Sequence, residues 1–449
     1  MKSRILFIAL LWTMVVGALH AADPYRLVED LFSENPKTRE AARKRLISAG
    51  DVTMAPAVVE VIFFSPSGRS DAVQILEYLL GEKHGSNFKA WIEAIGRRED
   101  IHPRPGYLAF KARQYARIDP AFATFLQDTH PRTIRVEEIV FGGVRKDGIP
   151  ALRNPKRIPA AQAGFLRDEE LVFGVSINDD TRAYPLRIMD WHEMANDVIG
   201  GRAVALAYCT LCGAGILYDT TLSKGETYTF GSSGLLYRSN KLMYDHQTNT
   251  LWSHLHGEPV MGPLVGKGKK LRILPMTLTT WGEWRGQHPK TEVLSLETGY
   301  ERNYTPGQPY GAYFRSTDLM FPVWKKSPDA LKAKDRIFGL ELKGTRKAYA
   351  LRTLVENPVV NDIVAGNTVV LLTDPASEAV RAYLSSGRRL KYSQERKLVD
   401  EETGEEFTVE EEHLVNAEST VRLVRLAGHL AYWFGWYASF PASEVFHRP

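Results

Sequence analysis

Apolar positions in the first quarter of the chain recur at helical spacing. Residues 25–32, 37–49, 56–64 and 70–80 each carry apolar side chains three and four positions apart, the period that lines up one face of a helix. The stretch from Pro24 to about Pro131 is therefore expected to be all-α. Within it, Asn35-Pro36-Lys37-Thr38-Arg39, followed by Ala41, Ala42, Leu46 and Gly50-Asp51, matches one unit of a HEAT-type solenoid, in which paired helices stack on their neighbours. A solenoid would offer a surface to a protein partner; the competing expectation is a small helical cap packed on the rest of the chain. Trp91, Tyr107 and Phe110 are expected in its core.

The pattern breaks between His130 and Pro159, where Gly142-Gly143, Lys146-Asp147-Gly148-Ile149-Pro150 and Asn154-Pro155-Lys156 exclude regular helix. Beyond it the apolar period shortens to that of strands separated by Gly-rich turns. Thr280-Trp281-Gly282-Glu283 predicts a short capped helix, residues 291–296 a strand, and residues 299–313 a loop rich in Gly, Pro and Tyr. Charged residues 391–412 predict a solvated hairpin around Thr403-Gly404, and the aromatic run 429–437 a buried final strand.

The β-patterned part contains an internal repeat. Phe173-Gly174-Val175, Arg182-Ala183-Tyr184-Pro185-Leu186-Arg187 and Asn196-Asp197 recur as Phe338-Gly339-Leu340, Lys347-Ala348-Tyr349-Ala350-Leu351-Arg352 and Asn361-Asp362, and Gly201 and Val204 meet Gly366 and Val369 in the same register. Such agreement predicts two copies of one unit, a hairpin, a short helix and a further strand, at about 172–209 and 337–374. The expected architecture is α+β: an all-α, HEAT-like segment at 23–131, then a β-rich domain at 132–449 built from two repeated halves.

Residues 1–22 change the expected location. A basic start (Lys2, Arg4), an apolar run from Ile5 to Leu19 and small residues at Ala18, Ala21 and Ala22 describe a secretory signal peptide. The mature protein is expected to be extracytoplasmic, periplasmic or secreted, with no later membrane span. Fifty-seven basic against 53 acidic residues leave no field for nucleic acid, and no phosphate loop or dinucleotide fingerprint points to a nucleotide cofactor. The globular balance of 44% apolar and 24% charged residues permits a large core.

The candidate chemistry sits on Tyr208-Cys209-Thr210-Leu211-Cys212-Gly213, which holds both cysteines of the chain. The strand before it and Gly213 and Gly215 after it place the thiols at a strand-turn-strand tip. In the repeat, Cys209, Cys212, His192 and Trp191 correspond to Asp374, Ser377, Asn357 and Glu356, so thiols and imidazole belong to the first copy alone. Asp190-Trp191-His192-Glu193 predicts a helix N-terminus with His192 in its first turn. If residues 251–256 form a strand, His254, His256 and Trp252 share one face. Cys209, Cys212, His192, His254 and His256, with Met243 as a further candidate, form a soft donor set suited to copper or zinc. Two other readings stand beside it: a thiol redox pair, and a structural disulfide in a protein- or glycan-binding module. Ser232-Ser233 lacks the elbow and base of a serine nucleophile. Glu193 with Asp197, and Asp245 with His246, read as capping or turn residues.

These motifs, with Val144-Arg145-Lys146-Asp147-Gly148-Ile149-Pro150, Gly234-Leu235-Leu236-Tyr237, Leu242-Met243-Tyr244-Asp245 and Leu251-Trp252-Ser253, resemble domain-of-unknown-function family number 3179, from roughly Arg135 to the C-terminus. Thr210 departs from the C-P-x-C that the family motif carries, which leaves a less rigid turn. The resemblance implies a domain and no established activity, and whether the protein is an enzyme is left open.

Overall fold

The computed structural model describes residues 23–222, 225–323 and 331–447; the expected signal peptide at 1–22 lies outside them. No helix among the described residues is long and apolar enough to cross a membrane.

The N-terminal part is helical. Arg26–Asp30, Pro36–Ala49, Ala55–Phe64, Arg69–Leu80, Phe88–Arg97, Tyr107–Tyr115 and Phe122–Phe125 follow one another. Asn35 caps the second by accepting from the Lys37 amide, with Pro36 in the first turn and Gly50 at φ 60° closing it, as the physical roles of these residues require. The third helix is wholly apolar but for Glu60, whose carboxylate meets the buried Lys111 ammonium at 2.6 Å. Trp91, Tyr107 and Phe110 are buried as expected. The helices do not stand free: the Phe63 and Phe122 rings pack on Phe141, and Phe125 packs on Tyr244. One apolar core runs from the helices into the first sheet.

That sheet orders Ile139–Phe141, Phe230–Tyr237, Asn240–Asp245, Leu251–Ser253 and Pro259–Met261. A second orders Arg272–Leu274, Ala214–Asp219, Arg202–Cys209, Met194–Ile199 and Leu152–Arg153, and a third is centred on Leu171–Ile177 and Asp180–Pro185. A fourth is centred on Arg336–Leu342 and Thr345–Ala350. The last has eight strands and curls nearly into a barrel: the side chain of Asn361, on its first strand, brackets the backbone of Leu390, on its last, at 2.8 and 2.9 Å.

Elements fall at matching positions in the two stretches that the sequence pairs. Leu171–Ile177, Asp180–Pro185 and Met194–Ile199 lie 165 residues before Arg336–Leu342, Thr345–Ala350 and Val359–Val364. The Tyr184 hydroxyl donates to Asp197 at 2.7 Å, and that of Tyr349 to Asp362 at 2.8 Å. Gly174 and Gly339 each lie under an indole, of Trp284 and Trp436, so close that a Cβ would come within 2.2 Å of the ring. That approach explains why neither position carries a side chain.

Three local expectations are corrected. The helix near His192 runs Leu186–His192, so His192 ends it; Pro185 starts it, and Glu193 closes it at φ 53°. The strand at Leu251 stops at Ser253, and the chain turns through His254, His256 and Gly257, the last at φ 63°, so the two imidazoles do not share a strand face. The aromatic run 429–437 is strand only through Tyr432; Trp433–Ser439 is a helix. The charged hairpin forms as expected, Leu398–Asp400 against Glu406–Val409, as do the Thr280-capped helix Trp281–Gln287 and the strand Glu292–Leu294.

Candidate functional site

Cys209 ends the strand Arg202–Cys209, a single 3-10 turn spans Thr210–Cys212, and Gly213 at φ 58° turns the chain into Ala214–Asp219. Glycine adopts that φ at the least cost, and the Tyr432 ring packs on the space a Cβ would need. The two sulfurs are joined as a disulfide, with Cα atoms 5.3 Å apart. Cys209 is 2% and Cys212 0% exposed, so neither sulfur is open to solvent.

Polar contacts fix this turn from several elements. Thr210 Oγ1 donates to Glu193 Oε1 at 3.0 Å, and the Tyr313 hydroxyl donates to Leu211 O at 2.8 Å. Cys212 Sγ lies 3.2 Å from the carbonyl oxygen of Ser239. Gly435, in the last helix, backs onto Cys212 so tightly that a Cβ there would sit 3.2 Å from the cysteine Cβ. The other Glu193 oxygen meets Lys241 Nζ at 3.2 Å, and the same ammonium donates to Glu193 O at 3.2 Å. Burial pushes the Lys241 pKa down and Glu193 opposes that shift. Asp190, on the facing helix, is buried with Oδ1 unpartnered. Burial first, and then the Glu193 charge, push its carboxyl up to about 8, against a hydrogen bond from Tyr208.

The expected ligand set is dispersed over this region. His192 is fully buried, its Nδ1 2.8 Å from Pro150 O and its Nε2 2.6 Å from the Tyr304 hydroxyl. A carbonyl only accepts, so Nδ1 carries the proton and Nε2 accepts from Tyr304; burial holds the pKa low. His254 Nε2 lies 3.1 Å from Ala207 O while Nδ1 is buried without a partner, and burial lowers the pKa to about 3. His256 packs on the Phe440 ring at 4.6 Å, and Met243 is buried in the first sheet. Among the described residues no group of three His, Cys, Asp or Glu side chains is placed to hold a metal ion.

Sequence reasoning passed over the residues that dominate here. Lys241 sits in an apolar-looking strand and gave no signal. Asp190 and Glu193 do stand out when set against Val355 and Pro358, their counterparts 165 positions on, although their spacing also fits a helix cap. Of the turn residues, Asp245 accepts from Thr248, Thr250 and Trp252, and Asp197 accepts from Tyr184 and Arg157.

Open space lies one residue layer away from the turn, behind Asn240 and Lys241. A cavity of about 310 Å³ lies between the Tyr237–Leu242 hairpin, Ser253–Val260 and the end of the last helix at Ser439. Its wall includes Asn240 and Lys241, next in the chain to Ser239, whose carbonyl meets Cys212; Asn240 Nδ2 donates to Gly435 O at 3.1 Å and Lys241 reaches Glu193, which holds Thr210.

Fold and site together define a mixed α/β chain with helices at its N-terminus, a β-rich remainder, and a buried disulfide turn with a small cavity nearby. Residues 146–443 match the family model described as "Protein of unknown function (DUF3179)", and the chain belongs to that family. No curated protein and no solved structure matches it.

Proposed function

We propose that this is an exported, soluble, non-enzymatic binding protein in which Cys209–Cys212 is a structural disulfide that holds the wall of a ligand cavity. The observation that carries the reading is the burial of both sulfurs, together with the contact of Cys212 with Ser239, the residue that precedes Asn240 and Lys241 of the cavity wall. A buried disulfide in a fixed turn stiffens what it touches, and an oxidising compartment outside the cytoplasm keeps it closed. The β-rich domain at 132–449 is in this reading two copies of one unit, supported by the shared element positions; the first copy bears the site and the second serves as scaffold. The HEAT-like segment at 23–131 is the surface for a protein partner.

Copper or zinc on Cys209 and Cys212, completed by His192, His254 or His256, is the reading this one displaces: it calls for a reduced pair and for imidazoles released from Pro150, Tyr304 and Ala207. The test is peptide mapping under non-reducing conditions, after thiols are trapped at lysis, beside metal analysis of the wild type and a Cys209→Ser/Cys212→Ser variant. Quantitative disulfide with equal metal in both proteins is expected. Trapped free thiols, with copper or zinc present in the wild type and absent from the variant, would sink the proposal.

A thiol redox role is the second reading, favoured by the C-x-x-C spacing of Cys209 and Cys212, which lets one thiol resolve a mixed disulfide formed by the other. Reduction would take two electrons and two protons from a dithiol donor, which leaves as its own disulfide. Facile reduction of the folded protein by a stoichiometric dithiol would select this reading.

A further inference from the structure

We infer that residues 299–323 form a strap over the disulfide turn, and that local opening of this strap, with the rest of the chain folded, admits a thiol reductant to Cys209–Cys212.

The stretch has little structure of its own. It contains no strand, and its one helix is Gly311–Arg315. Of residues 299–321 only Gly311 is buried. A segment with neither a core nor a strand ladder opens at lower cost than the sheets around it.

What holds it is a short series of single hydrogen bonds. At its start, Trp191 Nε1 donates to Asn303 O at 2.8 Å, and the Tyr304 hydroxyl donates to His192 Nε2 at 2.6 Å. In its middle, the Tyr313 hydroxyl donates at 2.8 Å to the carbonyl of Leu211, which lies between the two cysteines. Near its end, Ser239 Oγ donates to Pro322 O at 3.1 Å, while the carbonyl of the same serine meets Cys212 Sγ. Lys89 Nζ donates to Leu319 O at 2.8 Å and Val323 N to Glu93 Oε1 at 3.1 Å, which ties this end to the helix Phe88–Arg97. The strap therefore crosses the turn with an anchor on either side of it.

Residues peculiar to the first copy are the ones the strap uses. Trp191 and His192, which hold its start, stand where the second copy has Glu356 and Asn357. Asn357 instead turns back on its own helix and donates to Thr353 O at 2.8 Å. Ser377, the counterpart of Cys212, donates at 3.0 Å to Asp374, the counterpart of Cys209. Indole and imidazole thus serve as fastenings in the one copy whose turn has sulfurs to cover.

Reaching those sulfurs requires movement. Cys209 is 2% and Cys212 0% exposed, whereas a thiolate must approach a sulfur directly to attack it. With a small dithiol as reductant, one of its thiolates attacks a cysteine sulfur, the Cys209–Cys212 bond breaks and a mixed disulfide forms. The second thiolate displaces the protein sulfur, the dithiol leaves as its own cyclic disulfide, and its two protons end on Cys209 and Cys212.

The test uses the mature full-length chain with dithiothreitol in excess, the thiols being trapped by alkylation and counted by mass. Wild type, Tyr313→Phe, Trp191→Phe and Tyr383→Phe are compared, and circular dichroism and melting temperature verify each fold. Tyr383→Phe is the control, since it removes a hydroxyl that donates to Glu410 O at 2.8 Å in the second half. Tyr313→Phe and Trp191→Phe should each speed reduction about fivefold, the effect on opening of losing one ordinary hydrogen bond. Amide exchange across residues 299–323 should quicken alike, with exchange in Arg202–Cys209 unchanged. Tyr383→Phe should reduce at the wild-type rate. Wild-type reduction should respond weakly to urea below the unfolding transition, because local opening exposes little surface; if a strap variant fails to fold, this urea dependence decides alone. A wild-type rate that climbs with urea as steeply as global unfolding, equal acceleration in Tyr383→Phe, or no acceleration in the two strap variants overturns the inference. Because ratios of rates are read, the result is independent of how easily the disulfide is reduced, the property that divides the binding and redox readings above.

Discussion

Asp190→Asn should stabilise the protein at neutral pH. The wild-type carboxyl is buried, has one oxygen without a partner and carries a pKa near 8 against an ordinary 3.8. Below pH 4 it is protonated in both the folded and unfolded states, and its contribution to stability is fully present. As pH rises from about 4 to 8 the unfolded chain releases this proton while the folded chain keeps it, so stability falls across that window and levels off above it. A tenfold difference in proton affinity between the two states corresponds to about 1.4 kcal/mol, so the loss across the whole window has an upper bound of about 6 kcal/mol. Asparagine has nearly the same shape, keeps an oxygen for Tyr208 and does not titrate. The assay is urea unfolding of both proteins at several pH values between 4 and 9. The stability of the variant relative to wild type should climb with pH up to about 8 and then stay constant. A difference that is flat from pH 4 to 8, or that favours wild type as pH rises, refutes the reasoning.

Lys241→Met should cost about 3–5 kcal/mol, because it leaves the Glu193 carboxylate buried without its ammonium; adding Glu193→Leu should recover much of the loss in the same unfolding assay. Gly174→Ala and Gly339→Ala should each destabilise by about 1–3 kcal/mol or more, because the added methyl overlaps the Trp284 or Trp436 ring, and thermal melting should rank both below a Gly286→Ala control, which has open space. Opening the disulfide by Cys209→Ser/Cys212→Ser should cost only about 2 kcal/mol, since the loop it closes is so short. Hydrogen exchange in that variant should quicken at residues 239–241, and unchanged exchange there would show that the turn does not brace the cavity wall.

Much of the β-rich part was legible because period-two alternation and turn residues mark strands locally. The hairpin Leu171–Ile177 with Asp180–Pro185 could be read from Asn178-Asp179-Asp180 alone. What failed were ends set by tertiary contacts. Asp190-Trp191-His192-Glu193 has the residue types of a capping box, yet Glu193 stands at a helix C-terminus because its carboxylate is claimed by Thr210 and Lys241. Residues 433–437 carry the aromatics of a strand, yet they coil because Gly435 must approach Cys212. The cysteine turn itself was found from spacing. Its partners were not, since Ser239 and Tyr313 come from a hairpin and a short helix further along the chain, and no local pattern encodes which distant carbonyl or hydroxyl will arrive.

The stretch 299–323 has a second duty. Tyr304 bonds His192, and Tyr313 bonds the cysteine turn, so a segment some hundred residues further along the chain closes over the strand ends that precede it. Cutting the chain anywhere between residue 213 and this segment would leave the disulfide turn without its Tyr313 hydroxyl, and a graft that keeps the turn's contacts must carry residues 299–323 along with it.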